Sequence, residues 1–262
     1  MTPVRIERPA RDVARLVLDD PAKRNALSAE LRNALLAAAD TVLSDDAVRA
    51  VVLTGAGGVF CAGGDLSTMG GMTVETGRAR MKAGHRLVRL LAGAEKPIIA
   101  AIEGPAMGGG AGLALLADIV VMGAGAVVGF PYFKVGLVPD YGLFHTLPRR
   151  VGVAQARRLF VTAATVRSGE ALAMGLADRV VPDGEVQAAA LAEAAALAAM
   201  PAHAFALTKQ QLAQMPASLD AALEMEALAQ AIAFGTADHA EGRAAFFGKR
   251  RAVFRSDDGA ER

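Results

Sequence analysis

Two short apolar runs, Arg49-Ala-Val-Val-Leu53 and Ile98-Ile-Ala-Ala-Ile102, each lead straight into a glycine-rich segment, residues 55–64 and 104–112. Each segment then gives way to a helical pattern. Continuous runs of β-branched and small apolar residues read as strands buried on both faces. Strand, glycine loop, helix and strand, repeated, is the grammar of an α/β protein with right-handed crossovers. Upstream, Val4, Ile6 and residues 13–18 predict two short strands about a turn at Arg8-Pro9-Ala10. Ser28 stands as the N-cap of a helix on which Leu31, Leu35, Ala38 and Val42 recur. A helical stretch is expected after Asp65, the apolar part of another helix over residues 87–91, a helix over 113–117 and a strand over 119–122. Beyond Val153 helical patterns dominate, over 154–161, 168–174, 185–200, 204–214 and 219–234. The expected organisation is an α/β core over residues 1–200 and a helical region over residues 201–262, with the tail from Ser256 to Arg262 lacking regular structure.

Charge excludes one broad class. With 28 basic and 27 acidic residues the formal net charge is +1, so no long-range field gathers nucleic acid. The N-terminus is charged where a leader would be apolar. The stretch 104–133 is long enough to span a membrane, but it is rich in glycine and holds Asp118 near its middle. A charge at the bilayer centre costs about 2.5–3.5 kcal/mol on insertion scales. The stretch is therefore read as a buried helix followed by a buried strand. One cysteine, Cys61, allows no disulfide within the chain and fits a reducing, cytoplasmic setting. Four histidines without paired ligand spacing predict no metal site. An apolar fraction of 53% suggests burial between subunits as well as within one.

Three chemistries use glycine loops after buried strands. A dinucleotide fingerprint needs G-x-G-x-x-G opening a helix directly, and the first loop instead continues through Val59-Phe60-Cys61. A phosphate loop needs Gly-Lys-Ser or Gly-Lys-Thr, which neither loop contains. Taken as a pair, the loops fit a third. Gly64 in the first and Gly109 in the second each stand before a predicted helix, where two backbone N–H groups can converge on one carbonyl oxygen.

Along nearly its whole length the sequence resembles the crotonase (enoyl-CoA hydratase/isomerase) superfamily. The resemblance rests on Asn25-Ala-Leu27, Leu53-Thr-Gly55, Phe60-Cys-Ala-Gly-Gly-Asp-Leu66, Lys96-Pro-Ile-Ile-Ala-Ala-Ile102, Gly108-Gly-Gly110, Ala117-Asp-Ile119, Gly136-Leu-Val-Pro-Asp140, Leu147-Pro-Arg149, Ala171 with Met174-Gly175-Leu176, Val180-Val181, Glu241-Gly242 and Phe247-Gly-Lys-Arg250. It implies a crotonase-like spiral of ββα units and a helical C-terminal region for trimerisation, in a homotrimer or hexamer. It also implies an acyl-CoA substrate whose thioester oxygen is bound by the N–H groups of Gly64 and Gly109, with coenzyme A as part of the substrate and no further cofactor. Ala62, Gly64, Asp65 and Leu66 are implied to contact the adenine and pantetheine arm. Lys23 and Arg24 are placed near the nucleotide phosphates, and Phe246 and Lys249 at the coenzyme from the last helix, that of a neighbouring subunit included.

The resemblance is also specific about what is missing. The two glutamates of the family's hydratases fall on Gly112 and Tyr132. Glycine transfers no proton, and a phenol titrating near 10 is a poor base at neutral pH. The remaining carboxylate is Asp140, where double-bond isomerases of the family, those of phenylacetate breakdown among them, carry an acid. Phe130, Phe133, Tyr141, Phe144 and Met107 are expected to make an apolar acyl pocket that raises its pKa, His145 to border it and Gly112 to enlarge it. The pattern closest to this chain is therefore isomerisation with Asp140 as acid and base. The spacing of His85, Gly109 and Asp140 also resembles that of the 4-chlorobenzoyl-CoA dehalogenases, with Asp140 as nucleophile, His85 activating water and Tyr132 steadying the aspartate. Hydration through another acid/base, and acyl-CoA binding without catalysis, are the remaining alternatives.

Overall fold

The computed structural model describes residues 2–254, so the expectation for the tail lies outside the described residues. Strands β1 (Val4–Ala10) and β2 (Val13–Leu18) form an antiparallel pair. The turn expected at Arg8-Pro9-Ala10 lies instead inside β1, and the chain reverses at Arg11-Asp12, with Asp12 at φ 62. β1 is the edge of its sheet and its register shifts between Glu7 and Ala10, two circumstances that tolerate a proline without an N–H.

Helix α1 (Ala29–Leu43) starts where Ser28 accepts the Leu31 N–H at 3.1 Å, and strand β3 (Ala50–Gly55) follows. The helix expected after Asp65 shrinks to one 3-10 turn (Leu66–Thr68), and α2 (Val74–Ala92) begins only after Gly70-Gly71. Then come β4 (Ile98–Ile102), β5 (Pro105–Met107), α3 (Gly109–Ala114), β6 (Ile119–Gly123) and β7 (Val127–Gly129). Helices α4 (Leu143–Val151) and α5 (Val153–Val161), strand β8 (Thr165–Arg167), helix α6 (Ser168–Ala173) and strand β9 (Arg179–Val181) close the sheets. The chain ends in α7 (Val186–Ala198), α8 (Ala202–Gln214), α9 (Leu219–Phe234) and α10 (Ala237–Phe247).

The larger sheet runs β1-β2-β3-β4-β6-β9, parallel from β2 onward, and the smaller runs β5-β7-β8. β4 with β5, and β6 with β7, each send one strand to each sheet before a helix follows. This is the ββα spiral. Alternation along the large sheet divides the core. Val52, Ile99, Ala101 and Val121 face α7, whose Ala189, Ala190, Ala194 and Ala198 let the helix lie close. Leu16, Leu18, Leu53, Ala100 and Ile102 face the other way, into the core that holds Leu31 and Leu35 of α1 and Leu87 and Leu91 of α2.

Asp118, the one charge of the stretch 104–133, holds the start of the sheet. Its carboxylate accepts the Ile98 N–H at 2.8 Å and pairs with Lys209 Nζ at 2.8 Å, tying α8 to the core. The stretch itself divides into β5, α3, β6 and β7. No single helix among the described residues is long and apolar enough to cross a membrane. In the last three helices burial nearly ceases: Leu212, Leu219, Leu223 and Leu228 are at least half exposed. Glu241 and Arg250 explain the motif after α10. Their bidentate pair, 2.6 and 2.7 Å, folds the segment back beneath the helix, with Val253 N–H donating to the same carboxylate.

Candidate active site

The two glycine loops are sewn side by side. Cys61 N–H donates to the Pro105 carbonyl at 3.1 Å, and Met107 N–H donates back to the Cys61 carbonyl at 2.9 Å. Leu27 N–H donates to the Gly63 carbonyl at 2.7 Å, and Ala62 N–H to the Arg24 carbonyl at 3.0 Å. Gly63 has φ 95, and a Cβ there would stand 2.7 Å from the Met107 carbonyl oxygen, so only glycine fits. Beneath the first loop Asn25 is fully buried. Its Oδ1 accepts the Asp20 N–H at 2.9 Å, and its Nδ2 donates to the carbonyls of Ala56 and Val59 at 3.0 and 2.7 Å. In the sequence Asn25 stands out only as part of the motif Asn25-Ala-Leu27 and follows the charged pair Lys23-Arg24, so nothing local marks it for burial.

This stitching carries Gly64 alongside the start of α3. Gly109 is the first residue of α3, so its N–H has no acceptor within the helix. Gly64 differs from expectation, since only the 3-10 turn follows it and no α-helix dipole points at its N–H. Cys61, between the loops, is fully buried, and burial pushes its thiol up to about 12. It is therefore a packing residue rather than a nucleophile.

Beside α3 stand the two side chains that matter most. Tyr132 is buried at the start of the 3-10 turn Pro131–Val135, and its hydroxyl donates to Asp140 Oδ1 at 2.6 Å. The same ring end lies 3.8 Å from where a side chain on Gly108 would begin. Burial raises the Asp140 pKa above the usual carboxylate range; the Tyr132 hydrogen bond and the charges of His85 and Arg80 pull the other way. Burial, with the Asp140 charge beside it, also raises the Tyr132 pKa, so the phenol remains a neutral donor.

Tyr141 corrects one expectation. A Cβ on Gly112 would stand 2.5 Å from Tyr141 Cβ and 3.2 Å from the Tyr141 carbonyl oxygen. The absent side chain therefore does not enlarge the pocket, because the backbone at Tyr141, held at φ 51, has moved into its place. The proposed aromatic lining also divides. Phe130 is buried edge-on against Phe160 with centroids 5.8 Å apart, while Phe133 and Phe144 are more than half exposed on an apolar groove of about 320 Å³ between the 3-10 turn and helices α4 and α5.

The other predicted residues spread around this centre. His85 is half-buried on α2, within electrostatic reach of Asp140. Asp65 is buried and caps its own turn, its Oδ1 accepting from the Ser67 N–H at 3.1 Å and hydroxyl at 2.6 Å, and those bonds lower its pKa. Lys23, Arg24 and Leu66 are exposed, and Ala62 and Gly64 half-exposed. Phe246 and Lys249 lie exposed at the end of α10, which packs on α9. His145 is exposed on α4. Arg32 and Arg80, which approach Tyr141 and Asp140 from α1 and α2, were not singled out by the sequence, because two residues 48 positions apart meet only through helix packing.

Comparison with known proteins identifies the family. The sequence profile of the family Enoyl-CoA hydratase/isomerase matches residues 9–257. The 1,2-epoxyphenylacetyl-CoA isomerase of Escherichia coli is 34% identical over 93% of this chain and 95% of its own. The 4-chlorobenzoyl coenzyme A dehalogenase-2 of an Arthrobacter species is 37% identical over 76% of this chain and 74% of its own. The crystal structure of enoyl-CoA hydratase from Bacillus anthracis superposes with a TM-score of 0.92 at 29% identity, covering 97% of this chain and all of that one. With a matching profile across almost all of its length, the chain belongs to the enoyl-CoA hydratase/isomerase family, whose members act on CoA thioesters.

Proposed function

We propose that this enzyme shifts a carbon–carbon double bond in an acyl-CoA, with Asp140 as the single acid and base. One observation carries the reading: the Tyr132 hydroxyl donates to Asp140 Oδ1 at 2.6 Å, with glycine at position 112. Hydration through two carboxylates needs one to deliver a proton and another to activate water. Here one carboxylate faces one neutral phenol. Isomerisation needs no more than this, because the proton taken from one carbon is returned to another.

In this reading the N–H groups of Gly64 and Gly109 donate to the thioester oxygen. Asp140 takes a proton from the carbon next to the double bond, and the electron pair moves through the conjugated system onto that oxygen. The dienolate then takes a proton back from Asp140 at a different carbon. Burial that raises the Asp140 pKa narrows the gap to the carbon acid and makes each transfer easier. Tyr132 fixes Oδ1 and leaves Oδ2 for the substrate. Lys23 and Arg24 would meet the nucleotide phosphates, and the exposed apolar faces of the last helices support assembly into a trimer or hexamer, with Phe246 and Lys249 reaching a neighbour's coenzyme.

A second reading follows from His85. Its charge reaches Asp140, which supports attack by Asp140 on an acyl ring with His85 activating water. Turnover in heavy-oxygen water separates the two. A double bond that moves without label in the acyl product supports isomerisation; label in the product favours hydrolysis or hydration.

A further inference from the structure

Polar side chains converge on the inner face of α2 beyond those used above. The Tyr141 ring lies against α3, its Cδ2 3.0 Å from where a side chain on Gly109 would begin, and its hydroxyl reaches α2, 3.6 Å from the same point on Gly84. That hydroxyl is sealed from solvent, and the Arg32 guanidinium beside it can only donate, so the phenol proton has no acceptor, an uncommon state for a buried phenol. Arg80 stands one turn before Gly84 on the same face of α2. Its Nη1 donates to Thr68 Oγ1 at 3.1 Å, which leaves most of the guanidinium donors unused. Burial raises the Tyr141 pKa; Arg32, approaching from α1, pulls the other way and stands near enough to Arg80 for the two cations to repel. Among the described residues neither arginine has a carboxylate at ion-pair distance.

We propose that Arg32, Arg80 and Tyr141 form a subsite for a second anionic group, so that the preferred substrate is a short CoA monothioester of a dicarboxylic acid. The inference rests on the acyl-CoA reading above and names its substrate class. A carboxylate between the two guanidinium groups relieves their repulsion and accepts from planar donors that match its two oxygens. The position suits the far end of an acyl chain. Arg80 and Asp140 attract one another, which sets the pair beside the reacting carboxylate and away from the nucleotide. The span from Gly109 to the hydroxyl is that of a single phenol ring, which selects a short chain. Both arginines are half-buried, so the pair remains reachable although the hydroxyl behind it is sealed.

The test is calorimetric titration of the full-length chain with two unreactive thioesters of equal chain length, glutaryl-CoA and pentanoyl-CoA. Glutaryl-CoA is expected to bind about tenfold more tightly, the contribution of one charge-assisted pair. The ratio is expected to fall toward one in Arg80→Gln and in Arg32→Gln and to persist in Arg78→Gln, an exposed position on the same helix. Pentanoyl-CoA binding by each variant reports that it is folded. Equal affinities in the wild type, or a preference that survives both substitutions, overturns the proposal. Neither thioester reacts, so failure of the isomerase reading would leave this preference intact and appear separately, as enoyl-CoA bound but unchanged.

Discussion

Tyr132 and Asp140, eight residues apart, meet at 2.6 Å because the 3-10 turn Pro131–Val135 and the segment through Pro139 fold back beside the first residues of α3. The bond favours the charged carboxylate, against the burial that opposes its charge and sets the net upward shift of its pKa. Tyr132→Phe keeps the ring against Gly108 and removes only this bond. The Asp140 pKa then rises further. Activity that needs the carboxylate form falls as pH drops through that pKa, so the acidic limb of the kcat/KM profile moves to higher pH. An unmoved limb would place the essential base elsewhere.

Asp140 also carries a stability signature. Its folded-state pKa lies above the unfolded value, so its protonated form favours the folded state. That contribution is complete below the ordinary carboxylate range, near about 3.9, and is lost as pH rises through the folded-state pKa. Asp140→Asn, neutral throughout, is expected to melt above the wild type at pH 7, with the gap closing as the pH approaches that range. Thermal unfolding at several pH values tests this; a constant deficit in the variant would contradict it.

Gly112→Ala sets two effects against each other. Alanine in α3 gains roughly 1 kcal/mol of helix propensity over glycine. Its methyl would meet Tyr141 Cβ at 2.5 Å, an overpacking that typically costs about 1–3 kcal/mol, with backbone alongside that cannot swing away. Net destabilisation is expected in urea unfolding. Restoring a hydratase glutamate here meets the same wall.

Asn25→Ala removes the amide that ties the Asp20 turn to the carbonyls of Ala56 and Val59. Several buried groups lose partners at about 1–3 kcal/mol each, and alanine takes φ 56 less readily than asparagine. A loss of about 2–4 kcal/mol is expected in denaturant unfolding. The first glycine loop should loosen with it, read as a lower kcat/KM.

Much of this arrangement was legible because it is local. The buried strands, both glycine loops, the Ser28 cap and the helices between Val153 and Phe234 follow from periodicity and capping within a few residues, and motif order supplied the family. What escaped was decided over long range. Pro9 sits in a strand because β1 is a sheet edge, and Gly112 opens no space because Tyr141 occupies it. Strands β7 and β8, three residues each, carry too little pattern to read, and α4 hides behind its internal Pro148. The Tyr132 hydrogen bond was expected by resemblance, whereas the approach of Arg32 and Arg80 depends on how α1 packs on α2.

The most direct measurement is solvent-deuterium uptake into the acyl group of a 3-enoyl-CoA, followed by mass spectrometry for the wild type and Asp140→Asn. The account predicts exchange or double-bond migration in the wild type and a loss of about 10²–10⁴-fold in the variant, the usual contribution of a positioned acid/base. Equal exchange in both proteins would contradict the claim that Asp140 moves the proton.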